Sequence, residues 1–106
     1  MFARIVSLHL KADSTKEFTR TMEEKVVPLL RKQRGFRDII TFVAPGGLEA
    51  VGISFWDQKE YADDYNNRAY QDVRRVLAEW IEGPVQVRNY EVSTSTFHKI
   101  TARRAA

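Results

Sequence analysis

The chain has 106 residues, with 17 Lys and Arg against 14 Asp and Glu, no cysteine and two histidines. That length leaves room for one domain with one modest core, and 43% hydrophobic with 29% charged residues is a globular composition, not a disordered one. Without cysteine there are no disulfides, thiolate nucleophiles, iron–sulfur clusters or Cys-type zinc sites, and the expected location is cytoplasmic.

The net charge of +3 is unevenly spread. Lys99, Arg103 and Arg104 fall in the last ten residues, which contain no acid, and residues 1–96 balance at 14 basic and 14 acidic. A domain over 1–96 with a basic C-terminal tail over 97–106 is therefore expected. A neutral body lacks the basic face that phosphate binding needs, so no nucleic-acid partner is expected. No apolar run approaches the roughly 20 residues of a membrane span, and MFARIVSLHL lacks the long apolar segment of a signal peptide.

In chain order, residues 2–10 (FARIVSLHL) read as a strand. Asp13-Ser14 opens a helix, with Ser14 and Glu17 at capping-box spacing. Phe18, Met22, Val26, Leu29 and Leu30 form its apolar stripe. Pro28 predicts a kink or an early end, and Gly35 a stop. Residues 36–43 and 48–56 are strands joined by the turn Ala44-Pro45-Gly46-Gly47, a β-hairpin. Asp57 is placed to cap a second helix, with Glu60 three residues on. Its stripe runs through Tyr61, Tyr65, Ala69, Val73, Val76, Leu77 and Trp80, and Gly83-Pro84 is its expected end. Residues 85–96 form a last strand. The order β-α-β-β-α-β is the ferredoxin-like α+β arrangement, with a four-stranded antiparallel sheet.

Two helices cover one face of such a sheet. If the other face met water, the strands should alternate between apolar and polar. Instead Phe36, Ile40 and Phe42 oppose Ile39 and Val43 in the second strand. Val51, Ile53 and Phe55 oppose Ala50, Gly52 and Trp56 in the third, and Phe2, Val6 and Leu8 oppose Ala3 and Ile5 in the first. Both faces call for burial, so a homodimer through the sheet face is expected.

With that order, the segments Val26–Asp38 (VVPLLRKQRGFRD), Ser54–Tyr65 (SFWDQKEYADDY) and Gly83–Val92 (GPVQVRNYEV) resemble the antibiotic biosynthesis monooxygenase-like group of dimeric α+β barrels. The resemblance covers residues 1–96. It implies a dimer with sheets packed face to face and a small pocket in each subunit between sheet and helices. Some members of the group oxygenate phenols or quinols with molecular oxygen and no cofactor, and others degrade haem. The haem branch uses an Asn in the first strand and a His from the second half of the domain; this chain has no Asn in the first strand and no His in the second helix. Many quinol-oxygenase-like members carry two histidines five apart in the second helix, where this chain has Tyr65 and Tyr70.

In cofactor-free oxygenation the substrate anion supplies the electrons. The protein binds an aromatic ring, favours its deprotonated form and admits oxygen to a dry pocket. Tyr70, Arg88 and Asn66 are the candidate catalytic residues. Asn66 and Tyr70 lie four apart on one helix face, and Arg88 could stabilise an anion. His9, Trp56 and Tyr65 are candidate pocket residues. Each has an ordinary structural role as its alternative: core packing for Trp56 and Tyr65, solvent for Asn66, an ion pair for Arg88, an interface for His9. Gly52 marks a close approach to the sheet, expected from a helix. No metal site is expected, because the Asp63-Asp64 and Glu23-Glu24 pairs diverge around their helices. No nucleotide loop joins a strand to a helix. The expectation is a cofactor-independent monooxygenase acting on a small aromatic or quinol-type substrate. The alternative is a non-catalytic ligand-binding or stress-associated dimer.

Overall fold

The computed structural model describes residues 1–97. Its elements are β1 (Phe2–Leu10), α1 (Thr15–Thr21), α2 (Val27–Arg31), β2 (Phe36–Val43), β3 (Glu49–Trp56), α3 (Lys59–Asn67), α4 (Tyr70–Leu77) and β4 (Ile81–Glu91). The four strands form one antiparallel sheet in the order β2-β3-β1-β4, the ferredoxin-like α+β arrangement. Of the expected basic tail, only Phe97 falls within the described residues. No helix among them is long and apolar enough to cross a membrane.

The helical run continues past Pro28 but only as far as Arg31. Its hydrogen-bond ladder widens into a π turn over Met22–Val26, just upstream. Pro28 falls in the first turn of α2, directly after that π turn, so the irregular hydrogen bonding of the run and the proline that lacks an N–H lie side by side. The helix ends at Arg31, before Gly35. Gly35 takes φ +78° as the chain turns into β2, and a Cβ there would lie 2.7 Å from Tyr61 Cβ.

Neither expected capping bond forms, although Ser14 does occupy the cap position of α1. Ser14 has helical backbone angles and its Oγ donates to the Ala12 carbonyl at 3.4 Å, while Glu17 accepts from Arg20 at 2.7 Å. Asp57 accepts from Arg37 Nε, and Gln58 takes the cap position of α3. In both cases a nearby donor or acceptor competes successfully for the capping side chain.

The second helix is two helices. It breaks at Arg68-Ala69 and closes with a 3₁₀ turn at Ala78–Trp80. It is over before Gly83-Pro84, which lie inside β4, and β4 ends at Glu91 instead of running to residue 96. The register explains why a strand tolerates them. Ser7 pairs with Gln86 and His9 with Glu82, so Gly83, Pro84 and Val85 bulge opposite Leu8 on an edge strand.

The pairing sorts the strands into two faces. Phe2, Arg4, Val6 and Leu8 stand opposite Trp56, Ser54, Gly52 and Ala50 on the helix-covered face. Ala3, Ile5 and Ser7 stand opposite Phe55, Ile53 and Val51 on the open face, next to Ile40 and Phe42. A bulge between Phe36 and Asp38 moves Phe36 to the covered face, away from Ile40 and Phe42, with its ring edge-on to Trp56 at 5.5 Å. The core lies between the covered face and the helices. Its fully buried anchors are Trp56, Phe18, Leu10, Leu30 and Val26, each contributing about 1.5–3 kcal/mol through burial.

Candidate functional site

The covered face is not filled throughout. A cavity of about 230 Å³ lies between the sheet and the helices. Its walls are mostly apolar, with Val6, Leu8 and Ile39 from the sheet and Phe18, Met22, Val26 and Leu30 from the first helix. Gly52 forms part of the floor: a Cβ there would meet nothing within 4 Å. The close approach expected of a helix at Gly52 is absent, and the missing side chain is open space instead.

Against this apolar lining stands one polar cluster, centred on Arg4. Arg4 lies on an inner strand, in phase with Phe2, Val6 and Leu8, so the pleat turns it inward and leaves it 3% exposed. Its Nη2 donates to Asn66 Oδ1 at 2.7 Å. Its guanidinium lies over the Tyr70 ring, 4.0 Å from the centroid, and 5.3 Å from that of Tyr65. Such stacking stabilises a desolvated cation. Ser54, its neighbour across the β1–β3 pair, accepts the Trp56 indole N–H at 2.9 Å.

The helix break brings the two tyrosines together. Residues five apart on a continuous helix point about 140° away from each other. Across the Arg68-Ala69 break the Tyr65 and Tyr70 rings lie 5.8 Å apart, and both line the cavity. Neither phenol has a protein hydrogen-bond partner among the described residues. No buried polar side-chain atom among them is left orphaned, so both hydroxyls keep accessible surface. Burial pushes the Tyr65 phenol well above its usual value, and the nearby Arg4 cation only partly offsets this. Tyr65 is therefore a hydrogen-bond donor near neutral pH, not a base.

The expected site residues divide into three groups. Tyr65 and Tyr70 line the cavity. Asn66 and Trp56 stand behind it: Asn66 holds Arg4, and the fully buried Trp56 packs on Tyr65 at 5.1 Å between ring centroids. Arg88 and His9 are not brought to the cavity. Arg88 pairs with Ile5 and is exposed on the open face, because odd positions of β1 and their partners point away from the helices. His9 is exposed between inward-facing Leu8 and Leu10, its Nδ1 3.9 Å from Glu49 Oε1. Arg4 and Ser54 were not anticipated. Period two in FARIVSLHL carries the signal for Arg4, since it puts Arg4 in step with three apolar residues. Among the described residues no group of three or more His, Cys, Asp or Glu side chains comes together as a metal site.

No protein-family model matches the chain. No curated protein matches it. Solved structures do. SnoaB, a cofactor-independent oxygenase from Streptomyces nogalater, superposes with a TM-score of 0.75 at 9% identity, over 90% of this chain and 95% of that one. The monooxygenase ActVA-Orf6 of Streptomyces coelicolor, solved with the ligand nanaomycin D, gives 0.71 at 15% identity, over 99% and 89%. NE2512 of Nitrosomonas europaea, a protein of unknown function, gives 0.72 at 12% identity, over 91% and 92%. At these identities the likeness is one of architecture: the chain has the ferredoxin-like fold of the antibiotic biosynthesis monooxygenase domains.

Proposed function

We propose that the chain is a cofactor-independent monooxygenase acting on a small aromatic or quinol-type substrate held between sheet and helices. The observation that carries this reading is the buried Arg4, stacked under Tyr70 and bonded to Asn66, beside a mostly apolar cavity. A ring packs against Val6, Phe18 and Val26, and the Arg4 field favours the deprotonated hydroxyl. The phenol proton passes to water, and the ring anion gives electrons to dioxygen. A C–O bond forms at the opposite ring carbon, the O–O bond breaks, and phenol plus dioxygen yields quinone plus water. Tyr70 donates a hydrogen bond to the developing oxyanion, and Asn66 keeps Arg4 in place. Likeness in fold to SnoaB and ActVA-Orf6 supports this chemistry.

The reading includes a functional domain over residues 1–96, a cytoplasmic location and a homodimer. In the dimer the open faces of two copies meet through Ile5, Ile40, Val51, Ile53 and Phe42, of which Phe42 is 54% exposed in the single chain. Contiguous apolar surface of this kind is uncommon on a monomer. A dimeric mass by light scattering at micromolar concentration is expected, and a monomeric mass overturns that part.

Oxygen uptake with a panel of hydroquinones, with no added flavin or metal, tests the activity. Uptake that falls on the order of a hundredfold in Tyr70→Phe, with the fold unchanged, is the expected result. No uptake across the panel, with ligands still bound, would leave a ligand-binding protein.

A further inference from the structure

We propose that the cavity takes an apolar carboxylate, with the carboxylate seated on the free edge of Arg4. This rests on the reading that the cavity is the ligand site, but not on oxygenation.

Two observations carry it. The first is how few of Arg4's donors are used. A guanidinium has five N–H donors, and the protein supplies one acceptor, Asn66 Oδ1, to a side chain that is 3% exposed. No carboxylate among the described residues forms an ion pair with it. Yet none of its nitrogens is a sealed orphan, so the unused donors face the cavity that Arg4 lines. Tyr70 covers the flat face of the guanidinium, which leaves approach in its plane. An in-plane fork of N–H donors matches the two coplanar oxygens of a carboxylate better than the single oxygen of a phenolate. A buried cation without a counter-ion is costly, and a ligand anion supplies the missing charge.

The second observation is the charge of the lining. Arg74, one turn beyond Tyr70 and exposed, also lines the cavity, while no Asp or Glu does. The rim and the interior therefore attract the same sign of charge, and apart from Ser54 and the two phenols the remaining walls are hydrocarbon.

The test is anaerobic binding at pH 7 of three two-ring probes, 2-naphthoate, 2-naphthalenemethanol and 2-naphthol. It is read by calorimetry and by tryptophan fluorescence, to which Trp56, packed against Tyr65, and Trp80 both contribute. The proposal expects 2-naphthoate to bind at least about tenfold more tightly than either neutral probe, as a charge-assisted pair implies. In Arg4→Met that preference disappears while the alcohol still binds. In Gly52→Val, which fills the floor without touching Arg4, all three probes weaken; this places binding in the cavity even if Arg4→Met does not fold. Equal affinities in the native chain overturn the carboxylate assignment, as does 2-naphthol binding best or a preference that survives Arg4→Met. None of those results bears on oxygen uptake. Failure of all three probes to bind overturns the ligand cavity itself, and with it the enzyme reading.

Discussion

The two faces of this sheet depart from the usual expectation in opposite ways. The face covered by helices holds a buried cation, two phenols and empty space. The face left open carries Ile5, Ile40, Val51, Ile53 and Phe55 and no comparable polar cluster. A sheet face meeting water usually carries the polar residues and the covered one the hydrocarbon. The contrast separates the two: the covered face encloses a cavity within the core, and the open face carries apolar side chains with no element of the single chain packed over them.

Three changes break or sharpen that contrast. Trp56→Ala removes the anchor that joins the packed end of the covered face to the site. It should cost about 3–5 kcal/mol in chemical denaturation, and a loss below about 1 kcal/mol would mean that Trp56 is not the anchor. Ile53→Asp puts a charge at the centre of the open face. It should yield a folded monomer by light scattering and circular dichroism, with association weakened at least about a hundredfold. Arg88→Ala, on the same face, should act on association and not on turnover.

Gly35→Ala tests the chain reversal into β2. The left-handed backbone and the Tyr61 contact predict a loss of about 1–3 kcal/mol. The smallest effect concerns pH. Because burial raises the Tyr65 phenol, the unfolded chain releases that proton first. The contribution of Tyr65 is fully present below about pH 10, the ordinary phenol value, and is lost as pH rises further. Tyr65→Phe should therefore flatten the alkaline decline in melting temperature; an unchanged decline would mean that the phenol is not desolvated.

The architecture was legible because it rests on period and punctuation. Alternation in residues 2–10, the Pro45-Gly46-Gly47 turn and the two apolar stripes suffice for the element order. The two-sided hydrophobicity of 36–43 and 48–56 also held, except at Phe36. What escaped depends on local competition that spacing does not encode. Arg37 takes Asp57 away from its capping role, and the bulge at that residue changes the side on which Phe36 lies. The break after Asn67 has no Gly or Pro to announce it, yet it turns Tyr70 from a residue off the stripe into a buried wall of the cavity. Arg4 escaped because an arginine in a strand is first read as solvent-facing, although its phase said otherwise. Arg88 was favoured for its charge, and only the register with Ile5 assigns it to the open side.

The placement of Arg4 on β1 also has a consequence for exchange with solvent. β1 is paired along both edges, with β3 and with β4. Its amides should exchange hydrogen for deuterium only through the rarest openings of the domain. The opposite wall of the site stands on α3 and α4, short helices joined at Arg68-Ala69, where protection should be lost first. One side of the cavity thus keeps time with global unfolding and the other with local opening, so a ligand that clasps both should slow exchange chiefly at residues 65–72.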